Sequence, residues 1–498
     1  MEVLKKALAA ILAVVITLSS ASALTTGAKE KLIGDVNFDK TTNVADATIV
    51  QQICADMIVP TKEQKAAADA DGNGIININD ATHIQMIAAE MLPETIDEPD
   101  PTEPLTPEQI QAKGNAAVAD FGMTLLSKSV NDDSNTLISP VSIMYALAVA
   151  ANGADGETLS QMEKALGLPI GALNEYFKNY TENVAANPDE EVLTNCFGEP
   201  EYISRKLSIA NSVWYKDSDG TVPVKEQFLT TASDVYGADI KPSAFDSSTV
   251  GEINKWVDQK TDGMIKKLFE DDSISPETLM CLVNAVCFDA DWEEQYDKNN
   301  NFKASFTRDN GTTDTAEFMK HEEYNYLSDN DGAEGFVKDY FGGEFAFAAI
   351  MPKKGVKLND YLASLSGEKL QSMLSGVSNK YLSVSLPKFK LEYGTSLNST
   401  LQDMGIKDAF DPGKADFSNM CSSKTYIGSA IHKTFIELNE RGTRAAAATA
   451  ITMEATSLLD PPIPYYLTFD RPFVYVIYHK GTNTPLFIGT MENLANMT

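Results

Sequence analysis

Cysteine is scarce in this chain, with five in 498 residues: Cys54, Cys196, Cys281, Cys287 and Cys421. The number is odd and the spacings match no disulfide framework. Cys281 and Cys287 fall on one apparent strand, about 20 Å apart at roughly 3.3 Å per residue, too far to bridge. Histidine is scarcer still, and His83, His321, His432 and His479 include no pair spaced for a metal. Basic charge is also short, with 40 Lys and Arg against 71 Asp and Glu and a net charge of −31. Such a chain repels phosphates, which argues against nucleic acid as a partner. There is no Gly-x-Ser-x-Gly elbow and no repeated strand–helix unit to set two acids over a cleft. A serine hydrolase and a glycosidase are both disfavoured, and no enzyme is expected. Beyond residue 18 no apolar run is long enough to cross a bilayer, so membrane insertion is not expected.

What is present begins with a targeting segment. Lys5 and Lys6 precede an apolar run from Ala7 to Leu18, and Ala21-Ser22-Ala23 offers small residues for cleavage. This pattern predicts a signal peptide over 1–23 and a secreted, extracellular protein; the run is short for an uncleaved anchor. A length of 498 residues with 43% hydrophobic content predicts more than one domain and a large core.

An internal repeat follows. Asp35-Val36-Asn37-Phe38-Asp39-Lys40-Thr41-Thr42-Asn43-Val44-Ala45-Asp46 leads into an amphipathic stretch, and Asp69-Ala70-Asp71-Gly72-Asn73-Gly74-Ile75-Ile76-Asn77-Ile78-Asn79-Asp80 leads into a similar one. Each copy sets carboxylate or amide oxygens at its first, third, fifth and twelfth positions. Ca2+ takes six to eight oxygen ligands, and such a loop can wrap one ion. Because Asp rather than Glu stands twelfth, the duplicated segment over 32–92 resembles a dockerin, a small all-α calcium-binding module that docks into a cohesin of a scaffoldin, commonly in a cellulosome. The resemblance implies that Asp35, Asn37, Asp39, Asp46 and the Thr41 carbonyl hold one ion. Asp69, Asp71, Asn73, Asp80 and the Ile75 carbonyl would hold the second. It places cohesin contacts at Val44, Ala45, Ile78 and Asn79. Lys40 stands where the second loop has Gly74, so it must accept a tight turn.

Residues 93–107 read as a linker, with Pro93, Pro99, Pro101, Pro104 and Pro107 among acidic residues and no apolar period. The remaining body, 108–498, opens with helical patterns over 109–128, 139–151 and 156–166. Near its end, 440–457 carries Thr443, Ala445, Ala447, Thr449, Ile451, Met453 and Ala455 on one face of a two-residue period. Ala favours helix over strand, so local propensity does not hold this stretch in a sheet. Taken alone it reads equally as a small-residue loop or a short helix. Gly442 reads as a backbone pivot. Buried strands are expected over 431–440 and 467–478, followed by another at 485–489.

These flanks, with 137–147, 253–265, 282–288, 386–391 and 408–417, closely resemble the serpins, a family of serine protease inhibitors. The resemblance covers essentially the whole body. It implies an α+β fold: a helical bundle on three sheets, the largest able to accept an additional strand. It makes Glu440, Gly442, Thr443, Ala445, Ala447 and Thr449 the hinge of a reactive centre loop. Ser139, Ser142, Asn284 and His432 become a polar cluster under the opening of the main sheet, with Asn284 and His432 bonded to each other. Trp292, Lys388 and Glu440 mark where insertion begins, with a Lys388–Glu440 ion pair.

Insertion of the loop would add a strand and bury its apolar face, a gross gain on the order of 10–20 kcal/mol. The uncleaved body is then kinetically trapped, and a protease that attacks the loop is dragged along as its acyl-enzyme. Family spacing from Glu440 puts the scissile residue at Thr456, before Ser457, with Met453, Leu458 and Leu459 as alternatives. A small residue there fits an elastase-like or subtilisin-like serine protease. The alternative reading is a non-inhibitory carrier or chaperone on the same scaffold.

Overall fold

The computed structural model describes residues 30–55, 57–70, 76–89, 95–97, 105–184, 191–194, 200–203, 205–216, 224–270, 274, 280–329, 332–443 and 463–495. The chain divides into two compact units, Met1–Pro104 and Leu105–Thr498.

The first unit holds helices α1 (Val44–Cys54), α2 (Lys62–Ala68) and α3 (Ile78–Ala88). They close on a small core of Val36, Ala47, Val50, Ala68, Ala81 and Ile84. Helix α1 starts at Asn43, whose side chain accepts the Ala45 N–H, while Asp46 reaches back to the Asn43 N–H at 3.0 Å. Such a reciprocal cap satisfies the donors left open at a helix start. Helix α2 is not anticipated by the repeat, although Thr61 and Gln64 form the same box. The unit is also not purely helical. Strand β1 (Glu30–Leu32) pairs antiparallel with β2 (Thr95–Asp97).

That pairing corrects the reading of 93–107 as linker throughout, because 95–97 is part of a ladder. The other end of the span is corrected as well. Thr106 caps a helix with Pro107 at its first position and Gln109 returning the bond, so the second unit's first element begins inside the supposed linker.

In the second unit the helices are α4 (Pro107–Ser129), α5 (Pro140–Gly153), α6 (Gly156–Leu166), α7 (Ile170–Asn183), α8 (Glu226–Asp234), α9 (Thr249–Lys260), α10 (Leu358–Leu362), α11 (Gly367–Ser375) and α12 (Asn398–Asp403). The strands are β3 (Thr136–Ile138), β4 (Glu191–Thr194), β5 (Pro200–Ile203), β6 (Arg205–Lys216), β7 (Asp239–Ser243), β8 (Met280–Asp291), β9 (Phe302–Thr307), β10 (Thr313–Ser328), β11 (Ala333–Asp339), β12 (Phe345–Pro352), β13 (Ser378–Pro387), β14 (Phe389–Ser396), β15 (Ile431–Leu438), β16 (Gly442–Thr443), β17 (Tyr465–Thr468), β18 (Phe473–His479) and β19 (Thr484–Met491).

Among the described residues the strands make two large sheets rather than three. One runs β17-β13-β10-β11-β12-β18-β19-β3, with β9 beside β10; the other runs β14-β15-β16-β8-β6-β7. The difference lies in β10. Its 16 residues pair with β9 and β13 along most of their length and with β11 at the far end, joining what would otherwise be two sheets. A bulge between Glu323 and Asn325 lets one strand serve both sides. The hinge strand β16 lies in the six-stranded sheet, not in the largest one. The expected strand over 467–478 is also broken in two. Pro472 has no N–H to give a ladder, and the chain leaves β17 before it and enters β18 after it.

Helix α5 lies against the six-stranded sheet and is buried almost all round, which marks it as a core helix. Pro140 takes its first position and Ser139 caps it, accepting the Ser142 N–H at 3.4 Å.

Candidate functional site

The two-residue strand β16 sits between β15 and β8. Its partners are Leu438 for Thr443 on one side, and Asp291 for Gly442 with Ala290 for Thr443 on the other. Among the described residues no ladder joins β8 directly to β15, so these two long strands face each other across a seam seeded only at one end. The chain reaches the seam through a tight turn. Asn439 N–H donates to the Gly442 carbonyl at 3.0 Å, and the Asn439 side chain accepts the Arg441 N–H at 3.0 Å. Gly442 does not act as a left-handed pivot, since its φ is not positive. Glycine is required there by close approach: a Cβ would run into the Ala290 carbonyl.

Thr443 is 2% exposed and points into the core, where its hydroxyl lies 2.5 Å from that of Tyr340. Tyr340 stacks on Trp292 with centroids 4.4 Å apart. Trp292 in turn holds the turn twice, its indole N–H donating to the Asn439 carbonyl at 3.0 Å and its backbone N–H to the Arg441 carbonyl at 2.7 Å. Glu440, 6% exposed, accepts from Lys388 Nζ at 2.9 Å and Asn301 Nδ2 at 2.5 Å. Burial alone would raise the Glu440 pKa; the bonds from Lys388 and Asn301 outweigh it and hold the carboxyl below its usual range. Burial likewise opposes charge on Lys388, but Glu440 and Glu317 raise its pKa. Glu440, Thr443, Trp292 and Lys388 are therefore brought together in one cluster.

Deeper in the seam, Ser139, Ser142, Asn284 and His432 meet at the first turn of α5. The Ser139 N–H donates to His432 Nε2 at 3.1 Å. Burial pushes the imidazole pKa down to about 3, so the ring is neutral and its proton resides on Nδ1. Asn284 Oδ1 accepts the Ser142 hydroxyl, and its amide donates to Asn211 Oδ1 at 2.6 Å. No described hydrogen bond joins Asn284 to His432, contrary to expectation. With β8 and β15 unladdered, each side chain reaches down to the helix instead of across. Asn211, Tyr340 and Asn301 went unrecognised in the sequence. Only Asn211 leaves a signal, a polar residue on the alternate-residue face otherwise formed by Leu207, Ile209, Val213 and Tyr215.

In the first unit, the first repeat loop folds around its carboxylates. Asp35 accepts the Asp39 and Lys40 N–H groups at 3.1 and 3.0 Å. Asp46 is fully buried, and Oδ1 accepts from Val36 and Asn37 at 3.0 and 3.1 Å. Asp80 plays the same part in the second repeat, accepting from Ala70 at 2.9 Å and Asn77 at 2.8 Å. Lys40 takes the tight turn with φ 70°, and Asp39 accepts from Thr41 at 2.9 Å. Among the described residues no group of three His, Cys, Asp or Glu side chains is gathered as a metal cage. Asp71, Asn73 and Ile75 lie outside the described residues, as do Ala445, Ala447, Thr449, Thr456, Ser457 and the leader at 1–23. Val44 is 60% and Ile78 58% exposed, each the first residue of its helix, and Ala45 beside Val44 is also exposed. Among the described residues no helix is long and apolar enough to cross a membrane.

Residues 33–86 match the dockerin type I domain, and residues 116–494 match the serpin (serine protease inhibitor) family. An uncharacterised serpin-like protein of Methanosarcina acetivorans is 30% identical over 384 residues, covering 75% of this chain and 84% of that one. Antithrombin-III of Homo sapiens is 30% identical over 397 residues, covering 77% and 81%. The crystal structure of a thermophilic serpin, tengpin, in the native state aligns with a TM-score of 0.68 and 40% identity, over 79% of this chain and 96% of that one. With its seam, seated hinge and clustered Trp292, Lys388 and Glu440, this chain belongs to the serpin family and carries a dockerin type I domain ahead of the serpin body.

Proposed function

We propose that the protein is a secreted suicide inhibitor of serine proteases, tethered by its dockerin to a cohesin and protecting a cellulosome-type assembly. The observation that carries this reading is the two-residue strand β16, laddered on both sides between β8 and β15, which no other ladder joins among the described residues. A seam already started at one end can be filled by the residues that follow Thr443. The small side chains of Ala445, Ala447 and Thr449 would bury with little steric demand. Cleavage in the region of Thr456 and Ser457 frees that arm while the protease is still esterified to it. Insertion then moves the protease away from its aligned geometry and stops deacylation. The serpin body supplies no catalytic group of its own; it supplies a bait and a destination.

In the dockerin, the two oxygen-rich loops would each take one Ca2+ ion. Asp35, Asn37, Asp39, Asp46 and the Thr41 carbonyl would hold one, and Asp69, Asp71, Asn73, Asp80 and the Ile75 carbonyl the other. The buried carboxylates of Asp35, Asp46 and Asp80 support this reading, since a bound cation offsets the cost of keeping such groups charged away from water. Val44 and Ile78, exposed at equivalent positions of the two repeats, support cohesin contact, with Ala45 and Asn79 beside them.

The test is incubation with subtilisin and pancreatic elastase, then denaturing electrophoresis and mass spectrometry. A covalent adduct establishes inhibition and locates the bond. Complete turnover of the chain to cleaved product with both proteases, and no adduct, rejects it.

A further inference from the structure

Arg441 lies inside the hinge, between Glu440 and the two residues laddered in the seam. Its guanidinium grips Asp291, the last residue of β8, with two bonds: Nε to Oδ1 at 2.6 Å and Nη2 to Oδ2 at 3.0 Å. Asp291 is 0% exposed and the Arg441 side chain 17%, so the pair is largely withdrawn from solvent. Paired, planar bonding of this kind fixes orientation as well as contact. The hinge is thus held from both flanks. Glu440 is tied to Lys388, in the corner between β13 and β14, and Arg441 is tied to the end of β8. The second tie bridges the two sides of a seam that has no direct backbone ladder among the described residues. It also places Asp291 opposite Gly442 in the ladder, so side-chain pair and backbone pair enforce the same register.

We propose that the Arg441–Asp291 pair is the clamp that keeps β16 seated in the seam of the uncleaved chain, making Arg441 and Asp291 positioning residues that fix the register from which insertion starts. In its consequence for inhibition this rests on the proposed function; the clamp itself is a property of the uncut chain and is measured without any protease. Removing one partner of a buried pair takes its two charge-assisted bonds from the other, and the seated strand is the piece free to move. A hinge released from the seam must find its register after cleavage, so more of the acyl-enzyme hydrolyses before insertion captures it.

The experiment is hydrogen exchange of the intact full chain, read on the peptide containing 439–443, in wild type, Arg441→Gln, Asp291→Asn and the double exchange Arg441→Asp with Asp291→Arg. Both single variants should speed exchange of the Gly442 and Thr443 amides by about 100-fold, as expected when a buried ion pair is broken. The double exchange should recover at least part of the protection. Arg441 is partly exposed on a turn, so Arg441→Gln folds even if Asp291→Asn does not. Unchanged exchange in a folded Arg441→Gln overturns the clamp. In parallel, the number of inhibitor molecules consumed per subtilisin adduct should rise several-fold in Arg441→Gln. A wild-type chain with a protected hinge but no adduct would reject suicide inhibition and leave the clamp standing. A wild-type adduct with unchanged exchange in Arg441→Gln would do the reverse.

Discussion

The Thr443 hydroxyl and the Tyr340 hydroxyl lie 2.5 Å apart under the hinge, both shut away from solvent. This contact fixes the inward side of Thr443 itself. Thr443→Arg would put a long cation where there is room for a small hydroxyl, above a stacked Trp292–Tyr340 pair. The variant should be cleaved by subtilisin as fast as wild type but form no adduct, seen as a single cleaved band on denaturing gels. Adduct yield equal to wild type would refute insertion.

Gly442→Ala tests close packing at the same place. The added methyl meets the Ala290 carbonyl and the Asp291 backbone, which cannot yield cheaply. A loss of about 1–3 kcal/mol is expected by urea unfolding, in line with overpacking in a tight core.

The buried imidazole of His432 gives a pH dependence with a definite sign. Its folded pKa is pushed by burial from 6.5 to about 3, so folding favours the neutral ring. The stability this contributes is present above about pH 6.5 and is lost as pH falls toward 3, to a total of about 4 kcal/mol. Urea midpoints of wild type should drop over that interval more steeply than those of His432→Gln. Parallel curves for the two proteins would contradict the assignment.

Glu492 acts in the opposite sense. It is 2% exposed, and burial, then the nearby Asp309, Asp132 and Asp133, raises its pKa from 4.5 to about 7. Its contribution is present below pH 4.5 and lost as pH rises through 7. Glu492→Gln should therefore melt higher than wild type at pH 8 and no higher at pH 4, by differential scanning calorimetry.

For the dockerin, isothermal titration of the full chain with Ca2+ should give two equivalents. Asp46→Ala should remove one of them. It should also weaken the start of α1, because Asp46 closes the cap at Asn43 as well as lining the loop. A variant that still takes up two ions would place the ligands elsewhere.

Much of this molecule is legible in its sequence, for physical reasons that differ by element. Helices α5 and α6 announce themselves locally. Pro140 follows a Ser cap, and α6 ends at Gly167 in the left-handed region with φ 80°. The Lys388–Glu440 pair came through family resemblance, since nothing local ties two residues on different strands. The Arg441–Asp291 pair spans 150 positions and leaves no periodic trace, so only the folded chain reveals it. The merging of sheets through β10 was hidden for a related reason: alternation marks a strand but not its partners. The same limit concealed β1 and β2, three residues each, one at the edge of the dockerin stretch and the other inside the supposed linker.

That last pairing has a practical corollary. Because Glu30–Leu32 and Thr95–Asp97 run side by side, the polypeptide enters and leaves the small unit at one spot. A cassette with adjoining ends can be spliced before, after or within an unrelated protein without stretching its host. Grafted onto a different cargo, residues 30–97 should therefore carry with them the cohesin binding proposed for this unit.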